Sequence, residues 1–157
     1  MLGGVLSLTA LKCADFPNPK GDLCMHTFTY SLFPHDNAFG VETIRQAYDL
    51  NNPVRLIKGT ARVGKHVDKL SLVSVDKENI VVETLKQAEN GEDVIIRLYE
   101  SINALTNVNI KFGFNVYGVE ICDLMENKIS SVDVSKNCVL LTVKPFEIVT
   151  LKLKIKE

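Results

Sequence analysis

Tryptophan is absent from this 157-residue sequence and tyrosine occurs only four times. The flat exposed rings that stack on sugar faces are therefore scarce, and most of the phenylalanines fall on inward positions of strand-like runs. Cysteine is sparse too. Cys13, Cys24, Cys122 and Cys138 stand at irregular separations with no C-x-x-C pair, which excludes zinc-ribbon and thioredoxin-type sites. They read as free thiols in a reducing cytoplasm, with a Cys13–Cys24 disulfide across the proline-rich loop as the less favoured alternative. No apolar run approaches the roughly 20 residues that a bilayer span requires. The opening Met1-Leu2-Gly3-Gly4-Val5-Leu6 carries neither a basic n-region nor an apolar segment of signal-peptide length. With a formal net charge of −1 and scattered Lys and Arg, the chain has no field to gather phosphate backbones, so neither nucleic acid nor membrane is an expected partner.

What remains is the composition of an ordinary globular protein, with 46% hydrophobic and 24% charged residues. The length allows one domain, or part of one followed by a smaller complete one. The segment from Gly4 to Ala14 begins with an apolar, strand-like run, and the prolines and glycine of Asp15 to Asp22 break it. His26 to Phe33 alternates Thr27, Thr29 and Ser31 with Phe28, Tyr30 and Leu32, the period of a strand with one buried face. Between Gly40 and Leu50 the apolar residues recur at three or four positions, which predicts one short helix that Asn51-Asn52-Pro53 terminates. A polar, glycine-containing stretch from Gly59 to Lys69 marks a division, so the chain is expected to consist of residues 1–60 and 61–157.

Beyond Leu70 the sequence reads as seven short strands: Leu70 to Val75, Ile80 to Gln87, Val94 to Glu100, Val108 to Phe114, Tyr117 to Asp123, Cys138 to Val143 and Phe146 to Ile155. That spacing predicts an all-β fold, mainly an antiparallel β-sandwich, with the single helix near 40–50 as its exception. The expected core contains Val81 or Val82, Ile95, Leu98, Ile110, Leu141, Leu151 and Leu153. Lys152, Lys154 and Lys156 alternate on the outer side of the last strand, where lysines discourage edge pairing.

The acidic residues Glu83, Glu89, Glu92, Asp93, Glu100, Asp123, Glu126 and Asp133 are expected in turns or on outward strand positions, solvated. Glu147 is expected to accept hydrogen bonds at a strand entrance, with Arg97 a candidate partner for Glu147 or Glu100. His26, His35 and His66 are not spaced as metal ligands. No metal site and no catalytic residue is singled out.

Three segments carry a family resemblance: Arg97-Leu98-Tyr99-Glu100, Lys144-Pro145-Phe146-Glu147-Ile148-Val149-Thr150-Leu151-Lys152, and His26-Thr27-Phe28-Thr29-Tyr30-Ser31-Leu32-Phe33-Pro34-His35. Together they resemble the C-terminal β-domains of family 38 glycoside hydrolases, the retaining α-mannosidases. The resemblance implies a supersandwich-like fold, with residues 1–60 closing the large β-domain of a parent enzyme and 61–157 forming its C-terminal sandwich. It further implies that the nucleophile, the general acid and a zinc-like divalent metal belong to an N-terminal domain that this sequence does not resemble. The chain alone is thus expected to hold no cofactor and to hydrolyse no glycoside.

Its partners are then the rest of the parent chain and, through the parent, a mannoside. The unmatched apolar faces around Val5, Leu8, Phe28, Tyr30 and Phe33 are expected to drive self-association of the isolated chain. By the same resemblance the loop from Lys12 to His26 approaches the cleft, which makes Lys12, Asp22 and His26 substrate-proximal candidates. The family's Asp-x-Gly-x-His pattern reads Asp22-Leu23-Cys24-Met25-His26 here, with Cys24 replacing glycine. A free-standing carbohydrate-binding module is the alternative, disfavoured by the missing aromatic platform. A purely structural or oligomerisation sandwich requires the same alternating strands.

Overall fold

The computed structural model describes residues 4–14, 16–36, 38–60 and 69–155. Among these residues helix α1 (Val41–Asn51) precedes eight strands: β1 (Val73–Val75), β2 (Ile80–Gln87), β3 (Val94–Glu100), β4 (Thr106–Phe112), β5 (Val116–Cys122), β6 (Lys128–Val132), β7 (Cys138–Val143) and β8 (Ile148–Ile155). They form two antiparallel sheets, β1-β4-β7 and β2-β3-β8-β5-β6. The all-β fold with one short helix agrees with the sequence reading. The strand absent from that reading is β6, Lys-Ile-Ser-Ser-Val at a sheet edge. Four of its five residues are exposed, so it lacks the alternation by which a half-buried strand is recognised.

Alternation elsewhere builds the core. Val108, Ile110 and Phe112 of β4 point inward between exposed Asn107, Asn109 and Lys111. They meet Ile96 and Leu98 of β3 and Val149, Leu151 and Leu153 of β8. Ile95, Leu98, Ile110, Leu151 and Leu153 are fully buried, while Val82 and Leu141 pack against the core only partly covered. Ile95 is buried on the opposite side of β3 from Ile96 and Leu98. Its cross-strand neighbours there are Lys86 and Lys152, whose aliphatic stems can cover it while their ammonium groups reach outward.

Gly113, just after β4, permits the close approach of β1: a Cβ there would stand 2.0 Å from the carbonyl oxygen of Ser71. The Gly113 N–H donates to Leu72 O at 2.9 Å.

Residues 4–36 differ from expectation. The runs from Gly4 to Ala14 and from His26 to Phe33 form no strand and join no sheet among the described residues. Alternation supplies an apolar face, whereas a strand also needs a neighbour for its N–H and C=O groups. Tyr30 is 76% exposed and Leu32 75%. Helix α1 reaches the sandwich through an Arg45–Glu78 ion pair of 3.3 Å and a Tyr48–Tyr99 hydrogen bond. Burial, reinforced by that bond, pushes the Tyr48 phenol up to about 12. The expected division between Gly59 and Lys69 falls mostly on residues 61–68, outside the described residues, as do His66 and Lys156.

Candidate functional site

The two C-terminal sequence signatures meet on one carboxylate. In β3, Ile96, Leu98 and Glu100 share the inward face, and Glu100 is only 1% exposed. This corrects the expectation of a solvated, outward carboxylate there. The Asn79 side-chain amide and the Ile102 N–H each donate to Glu100 Oε1 at 2.9 Å, and the Phe146 N–H donates to Oε2 at 3.0 Å. The Glu100 N–H donates to Glu147 O at 3.1 Å. One buried carboxylate therefore joins the turn before β2, the β3–β4 loop and the β7–β8 loop. Burial pushes its pKa up, but the hydrogen bonds from Phe146, Asn79 and Ile102 outweigh burial and hold it at about 2.

The β7–β8 loop explains why that clamp is needed. Glu147 N–H donates to Lys144 O at 3.1 Å, closing a turn with Pro145 and Phe146 at its centre. Phe146 takes φ +55°, a left-handed conformation that suits glycine and strains a bulky side chain. The Glu147 carboxylate accepts from the Lys144 N–H at 2.7 Å, so Glu147 serves its own turn and not Arg97. Instead, the Arg97 Nε–H donates to Thr150 Oγ1 at 3.3 Å, across the β3–β8 pair. Arg97 pairs with neither Glu100 nor Glu147.

Glu126 is the second corrected carboxylate, 7% exposed in the β5–β6 loop. Lys86 Nζ lies 2.7 Å from Oε1, and the Glu89 N–H donates to Oε2 at 2.8 Å. The Lys86 ion pair and the Glu89 bond hold its carboxyl below the ordinary range. Parity along β3 would have revealed Glu100, since Ile96 and Leu98 face inward at the same spacing. Glu126 offers no such signal, because its burial comes from a loop folding back onto the sheet.

Of the substrate-proximal candidates, Asp22 and His26 are brought together: His26 Nε2 lies 3.0 Å from Asp22 O, which places the donated proton on Nε2. Cys24 Sγ lies 3.5 Å from the same nitrogen, and the His26 and Phe28 rings stack at 6.1 Å. Lys12 is exposed and has no hydrogen bond or ion pair to either among the described residues. Cys13 and Cys24 are free thiols. His35 stacks on Phe33 at 5.4 Å. Among the described residues no cluster of His, Cys, Asp and Glu fits a metal ion, and no helix is long and apolar enough to cross a membrane.

This architecture defines an antiparallel β-sandwich domain whose end loops are locked by a buried carboxylate. Over residues 79–151 the chain matches the glycosyl hydrolases family 38 C-terminal beta sandwich domain. It is 30% identical over 159 residues to alpha-mannosidase G of Dictyostelium discoideum and 30% identical over 157 residues to alpha-mannosidase 2C1 of Homo sapiens. Each alignment covers 96% of this chain, but only 14% and 15% of the respective relative. An alpha-mannosidase of Saccharomyces cerevisiae is 22% identical over 173 residues, again covering 96% of this chain and 16% of the relative.

Proposed function

We propose that this chain is the noncatalytic C-terminal β-region of a larger retaining α-mannosidase, in which it completes and braces the active-site cleft. The observation that carries the reading is the use made of Glu100. Retaining hydrolysis needs one carboxyl ionised as nucleophile and another protonated as acid. Glu100 is the most deeply buried carboxylate of the sandwich, yet its pKa of about 2 keeps it ionised at neutral pH and N–H donors occupy both its oxygens. It can therefore neither donate a proton there nor reach an anomeric carbon. Its role is to hold three loops in one arrangement, as a brace requires.

On this reading residues 1–60 close the parent's large β-domain and 61–157 form the terminal sandwich. Lys12, Asp22 and His26 lie near the mannoside, while the nucleophile, acid and zinc-like metal belong to the parent's N-terminal domain. The parent is placed in the cytoplasm, in line with the free thiols. The exposed Phe28, Tyr30, Leu32 and neighbouring apolar side chains are the surface that the parent covers. In the isolated chain that surface drives self-association.

The test is hydrolysis of an aryl α-mannoside by the purified chain, with and without added divalent metal. No turnover above a buffer blank is expected; metal-dependent turnover would overturn the reading. Sedimentation of the same preparation is expected to show species larger than the monomer, and removing residues 1–60 should restore a monomer.

A further inference from the structure

We propose that the outer face of the five-stranded sheet carries a binding pocket for an acidic peptide segment, with Arg97 receiving a Glu or Asp carboxylate and Leu124 and Met125 holding its aliphatic neighbours. Arg97 is rooted mid-strand on β3, which is paired on both sides, so its Cα is held by two ladders. Its Nε–H is committed to Thr150 Oγ1, and Thr150 is itself 3% exposed. That bond sets the plane of the guanidinium and leaves both Nη nitrogens without a carboxylate among the described residues. They form the fork that matches a carboxylate in bidentate fashion.

The neighbouring cations are engaged. Lys86 pairs with Glu89 and Glu126, Lys154 with Asp93 and Glu120, and Lys152 donates to the Glu126 carbonyl oxygen at 3.1 Å. The same contacts fold the β5–β6 loop over the sheet and raise a wall beside Arg97. The resulting pocket has a volume of about 440 Å³ and is lined by Arg97, Lys86, Glu89, Glu126, Leu124 and Met125. Leu124 is 63% exposed and Met125 79%. Lys152 also stands opposite Glu120 in the β5–β8 pair, so among the described residues Arg97 is the pocket-lining cation that no carboxylate meets.

A lone carboxylate beside two exposed aliphatic side chains is best supplied by an acidic residue flanked by aliphatic ones. Methionine and leucine adapt their shape to such an occupant. A bare inorganic anion would use the fork and leave the wall empty. The inference does not depend on the mannosidase reading, because it concerns only groups on this face.

The experiment titrates the full chain with Ac-Leu-Glu-Leu-NH2 and with Ac-Leu-Gln-Leu-NH2, and follows the Arg97 side-chain N–H and the Leu124 and Met125 methyl signals by NMR. The expected result is a saturable, millimolar-range shift of all three groups by the Glu peptide, about tenfold weaker with the Gln peptide. Arg97→Gln should abolish the shift of the methyl signals. Arg97→Lys should weaken binding while retaining the charge, and an unchanged amide spectrum in either variant shows that the sheet is intact. Equal response to both peptides, methyl shifts that survive Arg97→Gln, or a response to inorganic phosphate that matches the Glu peptide would each overturn the proposal, as would no response at all.

Discussion

Replacing Glu100 by Gln keeps the shape of the side chain and removes its charge. The carboxylate receives the Asn79 amide and Ile102 N–H on Oε1 and the Phe146 N–H on Oε2. A glutamine has one acceptor oxygen, so an NH2 group must then face at least one of these donors. The fall of the pKa from 4.5 to about 2 corresponds to about 3 kcal/mol at neutral pH. Leaving a buried N–H unpaired costs about 1–3 kcal/mol by an independent route. Urea unfolding at pH 7 should therefore show the variant less stable by about 2–4 kcal/mol.

The pH dependence separates this mechanism from simple misfit. Because the folded pKa is lower than the unfolded one, the stabilisation is fully present above about 4.5 and is lost as the pH falls toward about 2. The gap between wild type and Glu100→Gln should narrow through that window. A gap below about 0.5 kcal/mol at pH 7, the range of ordinary surface substitutions, would refute the reasoning. A gap that stays constant on acidification would refute it equally.

Leu151→Ala removes a fully buried side chain of β8 and should cost about 2–5 kcal/mol in urea unfolding. Gly113→Ala drives a methyl against the Ser71 carbonyl; a loss of about 1–3 kcal/mol is expected, together with weakened amide protection in β1. Phe146→Gly relieves a left-handed backbone at an exposed position. Its stability should stay level or rise by up to about 1 kcal/mol, and a clear loss would mean that the ring packs on something.

The sandwich was legible from Leu70 onward because its strands alternate and its turns are short. Ile80–Gln87, Val94–Glu100 and Cys138–Val143 end where the sequence reading ends them. Edge strand β6 was not legible, since solvent covers most of it and leaves no periodicity to read. The alternating run from His26 to Phe33 shows the converse limit: alternation records a face to be buried without saying what buries it. Arg97 and Glu147 were recognisable as polar residues near one sheet entrance, but their partners depend on register. Arg97 stands opposite Thr150, and Glu147 turns back on Lys144.

The account's central claim is that this sandwich braces a much larger catalytic polypeptide. An antibody against residues 70–155 can isolate the endogenous product for a combined measurement of its mass and of its hydrolysis of an aryl α-mannoside. The account predicts a polypeptide several times heavier than 17.5 kDa that turns over the substrate, whereas the isolated chain does not. An endogenous product of 17.5 kDa with no associated catalytic chain would contradict it.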